Sequence, residues 1–332
     1  MRRAGWGMWV AFMLALAGCA THPPGTPFEV AHRRALLQTA APASGLTVQW
    51  FGVTTLLFRE GDDAILIDAF LSRPSPRQTL LGAIGPDRGA VRNALAGPIA
   101  AVFIAHAHHD HVLDASAVVH EKGALLFGSE SVLNVARGDG VLDERLCPLD
   151  TSNAHPVAGF TVHAFATPHS KTSFPMEGVR TPLSTPARAL AYSAGRNDSF
   201  LLERGGRRIL VVPSAASKKG MFGTARSDVV FLGIGGLGTQ SDSVISDYCE
   251  EAVRQRGARQ VILVHWDNFL YPPGPVLQTF APPLDDVPRS LEVLSRLARD
   301  DGIDLHFIAP FQPVGLPQAG NSGIIASPPA IQ

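Results

Sequence analysis

Four of the twelve histidines fall within six consecutive residues, His106-Ala107-His108-His109-Asp110-His111. Imidazole and carboxylate are the natural ligands of zinc and similar divalent ions. The same groups crowded together without a cation would be hard to desolvate and easy to protonate. Immediately before them runs Ala101-Val102-Phe103-Ile104, an unbroken apolar stretch that reads as a strand buried on both faces. A loop at the carboxyl end of such a strand is where α/β proteins build their sites. The residue types, the spacing and the position together predict a metal site.

Competing chemistries leave weaker traces. Gly233-Ile234-Gly235-Gly236-Leu237-Gly238 has the spacing of a dinucleotide loop. About 20 residues further on, where an acid should bind the ribose, the chain reads Ala258-Arg259-Gln260, so a glycine-rich turn near the metals is the better reading. No Gly-x-Ser-x-Gly is present and no lysine has a serine three residues before it, which argues against a serine nucleophile. Lys218-Lys219 reads as a solvated pair.

The elements that must position the cluster follow from hydropathy. Leu46 to Phe51, Thr54 to Arg59 and Ala64 to Asp68 read as an antiparallel meander. Further strands are expected at Ala124–Phe127, Phe160–Phe165, Ser199–Glu203, Arg208–Val212, Val229–Leu232, Val261–Val264 and Leu305–Ile308. Helices are expected over Ala115–Lys122, after Ser129, over Ser243–Arg256 and over Pro288–Asp300. Strands lead each half and helices follow, so two packed sheets with helices outside is the simplest layering.

With 332 residues, 45% of them hydrophobic and 17% charged, the chain can bury a large core. Three cysteines are too few for a disulfide scaffold; Cys147 and Cys249 read as buried free thiols, with a bridge between them the alternative that an oxidising compartment would allow. A formal charge of −1 without a basic stripe argues against a nucleic-acid partner. At the N-terminus, Arg2 and Arg3 precede the uncharged stretch Trp6 to Ala17, too short to span a bilayer and suited to a signal peptide over residues 1–18. It ends Leu16-Ala17-Gly18-Cys19, which resembles the lipobox of bacterial lipoproteins. That resemblance implies lipid attachment at Cys19 and a membrane-anchored protein of the cell envelope, on the outer membrane facing the periplasm. Residues 19–44 read as a flexible tether, 45–312 as one folded domain and 313–332 as a disordered tail.

His106-x-His108-x-Asp110-His111 resembles the H-x-H-x-D-H motif of the metallo-β-lactamase superfamily, a four-layered αββα sandwich. The resemblance spans roughly Leu46 to Pro310. It implies that His106 and His108 hold a first metal with His169, 63 residues beyond His106, and that Asp110 and His111 hold a second with His265. It implies that Asp68, at the end of Ile65-Leu66-Ile67, braces the ligands. Trp50-Phe51-Gly52 and His265-Trp266-Asp267-Asn268-Phe269 look most like the branch of ascorbate-phosphate lactonase-like and N-acyl-phosphatidylethanolamine phospholipase-D-like proteins. The expectation is a zinc-dependent hydrolase with one or two ions activating water, acting on a phosphodiester or lactone of a small or lipid-derived molecule. Asp110 would bind the second ion or orient the water. β-Lactam hydrolysis, a non-catalytic metal-binding lipoprotein and flavin-partnered di-iron redox chemistry are the alternatives.

Two departures stand out. The branch has Gly-His after its first strand, where this chain has Gly52-Val53. The bridging aspartate expected after Arg208–Val212 is missing, and Ser214 stands in its place. Losing that charge should weaken the second metal more than the first. Asp267 could support His265 or supply the missing carboxylate. His109 lies outside the motif and reads as a supporting or surface residue, and His163, mid-strand, as structural. Substrate contacts are expected from Ser72–Pro98 and from Lys171–Arg188, a possible lid.

Overall fold

The computed structural model describes residues 36–37, 45–271 and 277–316. In chain order its strands are β1 (Leu36–Leu37), β2 (Thr47–Trp50), β3 (Leu56–Glu60), β4 (Asp63–Ile67), β5 (Ala101–Phe103), β6 (Leu125–Gly128), β7 (Leu146–Pro148), β8 (His155–Val157), β9 (Phe160–Ala166), β10 (Asp198–Arg204), β11 (Arg207–Val212), β12 (Val229–Gly233), β13 (Gln260–Val264), β14 (Asp304–Ile308) and β15 (Pro313–Gly315). They form a seven-stranded sheet ordered β15-β2-β3-β4-β5-β6-β7 and an eight-stranded sheet ordered β1-β14-β13-β12-β11-β10-β9-β8. In the first sheet the β2-β3-β4 meander is antiparallel, and β4 through β7 run parallel. In the second, β11 through β14 run parallel, and β10 reverses between β9 and β11. The strands that carry the histidine loops therefore open toward one end.

Alternation along the strands sends two sets of side chains in opposite directions. Val48, Trp50, Phe58, Ile65 and Phe103 of the first sheet share one buried cluster with Phe160, Phe200, Val211, Phe231 and Leu263 of the second. Phe58 meets Phe231 edge-on across the sheets at 5.5 Å between centroids. Leu57, Leu66, Val102 and Leu126 face the other way, toward Val118 and Leu133. Those two belong to helices α4 (Ala115–Lys122) and α5 (Glu130–Gly138), which follow α1 (Pro76–Leu81), α2 (Arg88–Ala94) and the one-turn α3 (His109–Val112). On the second sheet lie α6 (Asp242–Ala252) and α7 (Val287–Asp301). Leu291, Leu294 and Ala298 give α7 its buried stripe, and Gly302, in the left-handed region at φ 64°, ends it. The result is the expected αββα sandwich, built as a single domain.

The ordered domain is longer at both ends than its sequence suggests. Within the stretch read as a tether, Leu36 and Leu37 pair in parallel with Phe307 and Ile308. Within the stretch read as a disordered tail, Pro313–Gly315 pairs antiparallel with β2, and the Leu316 amide donates to the Leu46 carbonyl at 3.1 Å. An exposed sheet edge offers unpaired backbone groups, and two or three residues of almost any type can satisfy them. The signal segment and Cys19 lie outside the described residues. Among the described residues, no helix is long and apolar enough to cross a membrane.

Candidate metal centre

The six histidine and aspartate side chains come from three strand ends. His106 and His108 follow β5, with Asp110 and His111 in α3 just beyond. His169 follows β9 and His265 follows β13. Ligand atoms of His106, His108 and His169 lie within 4.8 Å of one another, and so do those of Asp110, His111 and His265.

In the first triad, His106 Nε2 is 3.1 Å from both His108 Nδ1 and His169 Nε2. Ligands about 2.0–2.1 Å from a tetrahedral zinc ion stand about 3.4 Å apart, so the spacing is close to what an ion requires. The outward ring nitrogens decide what the inner ones carry. His108 Nε2 lies 2.9 Å from the Pro175 carbonyl, and His169 Nδ1 lies 2.7 Å from the Ser170 carbonyl. A carbonyl only accepts, so each outer nitrogen bears the hydrogen and each inner one a lone pair. The group fits a cation.

The second triad is set the same way. His111 Nδ1 donates to Asp68 Oδ2 at 2.7 Å, turning Nε2 inward to within 3.5 Å of Asp110 Oδ2. His265 Nε2 lies 3.6 Å from the same oxygen. Asp68 also accepts from the Ala105 amide at 2.8 Å and from the Thr54 hydroxyl, so it ties the histidine loop to the meander. The His106 and His111 rings are 4.1 Å apart, which makes the two triads neighbours.

His265 sits in the left-handed region at φ 56°, and a buried relay holds it there. Its amide donates to the Val53 carbonyl at 2.8 Å, and the Val53 amide donates to Asp267 Oδ1 at 2.8 Å. Asp267 Oδ2 pairs with Arg73 at 2.5 Å, both side chains almost fully buried. Gly52, at φ 94°, leaves room for this pair, since a Cβ there would lie 1.6 Å from the guanidinium. Asp267 therefore braces the His265 turn through Val53 and is spent on Arg73; it does not replace the missing bridging carboxylate. Val53 works through its backbone, in the position where the sequence departs from the branch pattern.

Residues 63–266, more than half of the chain, match the model of the beta-lactamase superfamily domain. The chain belongs to this family. Among its relatives, a UPF0173 metal-dependent hydrolase from Roseiflexus is 29% identical over 143 residues, covering 42% of this chain and 54% of that protein. Another from Myxococcus xanthus is 26% identical over 269 residues, covering 79% of this chain and 84% of its own. The chain thus spans about half the length of the first of these relatives and most of the second. Two solved structures share the fold at 15% identity. Igni18, a metallo hydrolase from Ignicoccus hospitalis, has a TM-score of 0.53, with 82% of this chain and 99% of that chain covered. CmlA, a diiron β-hydroxylase from Streptomyces venezuelae, has a TM-score of 0.51, with 83% and 55% covered.

Electrostatics in this superfamily site favour neutral imidazoles beside an ionised carboxylate. Burial lowers His106 well below the ordinary histidine value, and its histidine neighbours push the same way. His108 and His265 are each held down to about 4, burial being the main cause. Burial alone would raise the Asp110 carboxyl, but His111, His109 and His265 more than reverse this and hold it below the usual range. Burial also works to lower His111, yet Asp110 and Asp68 leave it above its ordinary value. His106, His108, His169 and His265 are thus free of protons at neutral pH, as metal binding requires, whereas His111, held up by its two carboxylate neighbours, has a proton for a bound ion to displace.

Both triads face a cavity of about 460 Å³. Ser214 is part of its wall, donating toward the Ser170 hydroxyl at 3.3 Å and accepting from the Ser170 amide at 2.9 Å. The serine found in place of an aspartate thus steadies the loop that carries His169. Of Ser72–Pro98 only Thr79 and Leu80 reach the cavity, whereas Lys171–Phe174 line it directly. The rest of Lys171–Arg188 is tied to the first sheet's helical layer: Val179 and Leu183 donate to Ser131 and Asn134, and Ala187 bonds with Ile84. His109 is buried, not on the surface, among the rings of Phe70, Phe174 and Phe269. His163 is partly exposed, 3.8 Å from Glu203. Cys147 and Cys249 are both free, Cys147 only half-buried on β7 and Cys249 buried in α6. The sequence brought forward Phe269 within a motif and Phe174 within an expected contact stretch, but gave no sign of Thr54, Arg73 or Phe280 as parts of the site.

Proposed function

We propose that the protein is a zinc-dependent hydrolase that adds water to a phosphodiester or a lactone of a small or lipid-derived molecule. The observation that supports this best is the pair of triads on one cavity, with the ring hydrogens of His108, His169 and His111 turned outward onto Pro175, Ser170 and Asp68. Five imidazoles and one carboxylate suit zinc better than they suit ions that prefer oxygen. A divalent ion in this setting supplies Lewis acidity and lowers the pKa of water from 15.7 to about 7. Asp110, kept ionised between the triads, accepts a hydrogen bond from the attacking water and orients its lone pair toward phosphorus or the carbonyl carbon. On a phosphodiester the new O–P bond would form as the P–O bond to the leaving alcohol breaks; on a lactone the new O–C bond would form first and the ring C–O bond break second. In both, the proton given up by water would pass by way of Asp110 to the departing alcohol oxygen. Asp68 keeps the His111 ring and its tautomer fixed while charge builds. The lipobox-like Leu16-Ala17-Gly18-Cys19 supports placing this domain on a lipid anchor in the cell envelope.

The deciding experiment is metal content by mass spectrometry for the wild type and His169→Ala, with hydrolysis of bis-(p-nitrophenyl) phosphate and a γ-lactone measured alongside. About one ion per triad is expected, with loss of the first ion and of turnover in the variant. Metal bound without turnover on either substrate would move the non-catalytic binding protein to first place. Equal metal in both proteins would sink the ligand set. Membrane association lost in Cys19→Ala is the matching test of the anchor, and a wild type that stays soluble would refute it.

A further inference from the structure

The cavity is chemically lopsided. Ser170 and Ser214 give it a polar edge beside His169, Thr239, Gln240 and Asp285 are further polar lining, and Lys171 is the one lysine or arginine among its described lining residues. Its apolar lining is Leu80, Phe174, Phe269, Leu270, Phe280 and Leu284, with Phe174 and Phe269 joined through the His109 ring. It begins at the donor histidines: the Phe174 ring lies 5.8 Å from His108, and Phe269 lies 6.2 Å from His265. It then runs on to Phe280, 5.0 Å beyond Phe269. A volume of about 460 Å³ is in the range that encloses a drug-sized molecule, far more than a phosphate or lactone ring fills. Phenylalanine and leucine left facing such a space gain from covering by apolar surface and offer nothing to a polar group.

We propose that this wall is a subsite for an alkyl or aryl group. The substrate is then amphiphilic, with its polar scissile head at the triads and an apolar tail along Phe174, Phe269 and Phe280. The word substrate rests on the hydrolase reading above; the subsite itself can be tested by binding alone.

The experiment is calorimetric titration of the zinc-loaded protein with alkylphosphonates from methyl to octyl, on the wild type, Phe280→Ala and Leu284→Ser. Metal content and melting point are checked for each protein. In the wild type Kd should fall about fourfold per methylene (about 0.8 kcal/mol) until the tail fills the wall, with a negative heat-capacity change. Both variants should flatten that dependence at unchanged metal content. A Kd that stays constant along the series, or the same slope in all three proteins, overturns the subsite. Hydrolysis is followed in parallel on γ-lactones and p-nitrophenyl phosphodiesters carrying the same tails. A chain-length slope in binding with no turnover of any member would overturn the hydrolase reading and leave the subsite standing.

Discussion

Arg73 and Asp267 lie 194 residues apart, and no local pattern ties them together. Their pairing exists only because β13 ends beside the first meander turn, so it could not be read from the chain, whereas the contiguous histidine motif could. The pair has an uneven energetic profile. Removing one member of a buried ion pair leaves the other charge stranded, at a cost of about 3–5 kcal/mol. Replacing both by apolar groups of similar volume is often neutral. Asp267→Ala should therefore lower stability by about that amount and, by releasing the Val53 amide, loosen the His265 turn and weaken the second metal. Arg73→Met combined with Asp267→Leu should recover most of the stability but not the second metal, since Val53 still lacks its acceptor. Chemical denaturation and metal titration on the single and double variants separate the two effects. Full metal affinity in the double variant would show that the relay does not hold His265.

At the scale of elements, the Gly-rich stretch after β12 is legible as a turn but not as a close contact. Gly235 shows the difference. A Cβ there would stand 2.7 Å from His265 Nδ1 and 2.9 Å from the His265 carbonyl, so any side chain forces the two turns apart. Gly235→Ala should thus reduce occupancy of the Asp110–His111–His265 group while sparing His106, His108 and His169, which are carried on other strands. Competitive metal titration would show the weaker of two sites lost and the tighter kept; two unchanged sites would mean that the turn can yield. The long apolar strands and the helices closed by glycine were readable because burial on one face or two leaves a periodic trace. Strands β7, β8 and β15 were not, because three residues at or near a sheet margin carry no period. Helix α1 was missed although its start is written in the chain, with Ser75 and Gln78 forming a capping box and Pro76 at the first turn.

Across the whole molecule, the donors join the two sheets: His106, His108, Asp110 and His111 hang from the first, His169 and His265 from the second. With the ion removed by a chelator, six imidazoles, the five donors and His109, remain packed at that junction, and they set how stability responds to pH. His106, His108, His109, His169 and His265 all have lowered values in the fold, with burial the leading cause and His108 and His265 at about 4. The unfolded chain takes up protons below its ordinary histidine value of about 6.5 and the fold refuses them, so stability falls as pH drops from there toward 4. Asp198 and Asp285 work in the opposite sense. Burial raises each to about 6, so they contribute stability at low pH that is lost as pH rises through that value. His111, raised above its ordinary value, likewise contributes below about pH 6.5 and loses that contribution as pH rises through its folded value. Asp114 and Asp139, also raised by burial, act in the same sense as Asp198 and Asp285, and the expected outcome is that the five lowered imidazoles outweigh these carboxylates between pH 6.5 and 5. Each net proton is worth about 1.4 kcal/mol per pH unit, and 1 kcal/mol moves the melting point of a domain this large by about 2–4 °C. The chelated protein should therefore melt several degrees lower at pH 5 than at pH 7, and Asp198→Asn, which removes one opposing carboxylate, should steepen the fall. A chelated protein equally stable at both pH values would mean that the imidazoles accept protons within the fold, and the inward lone pairs on which metal binding depends would not be there to bind it.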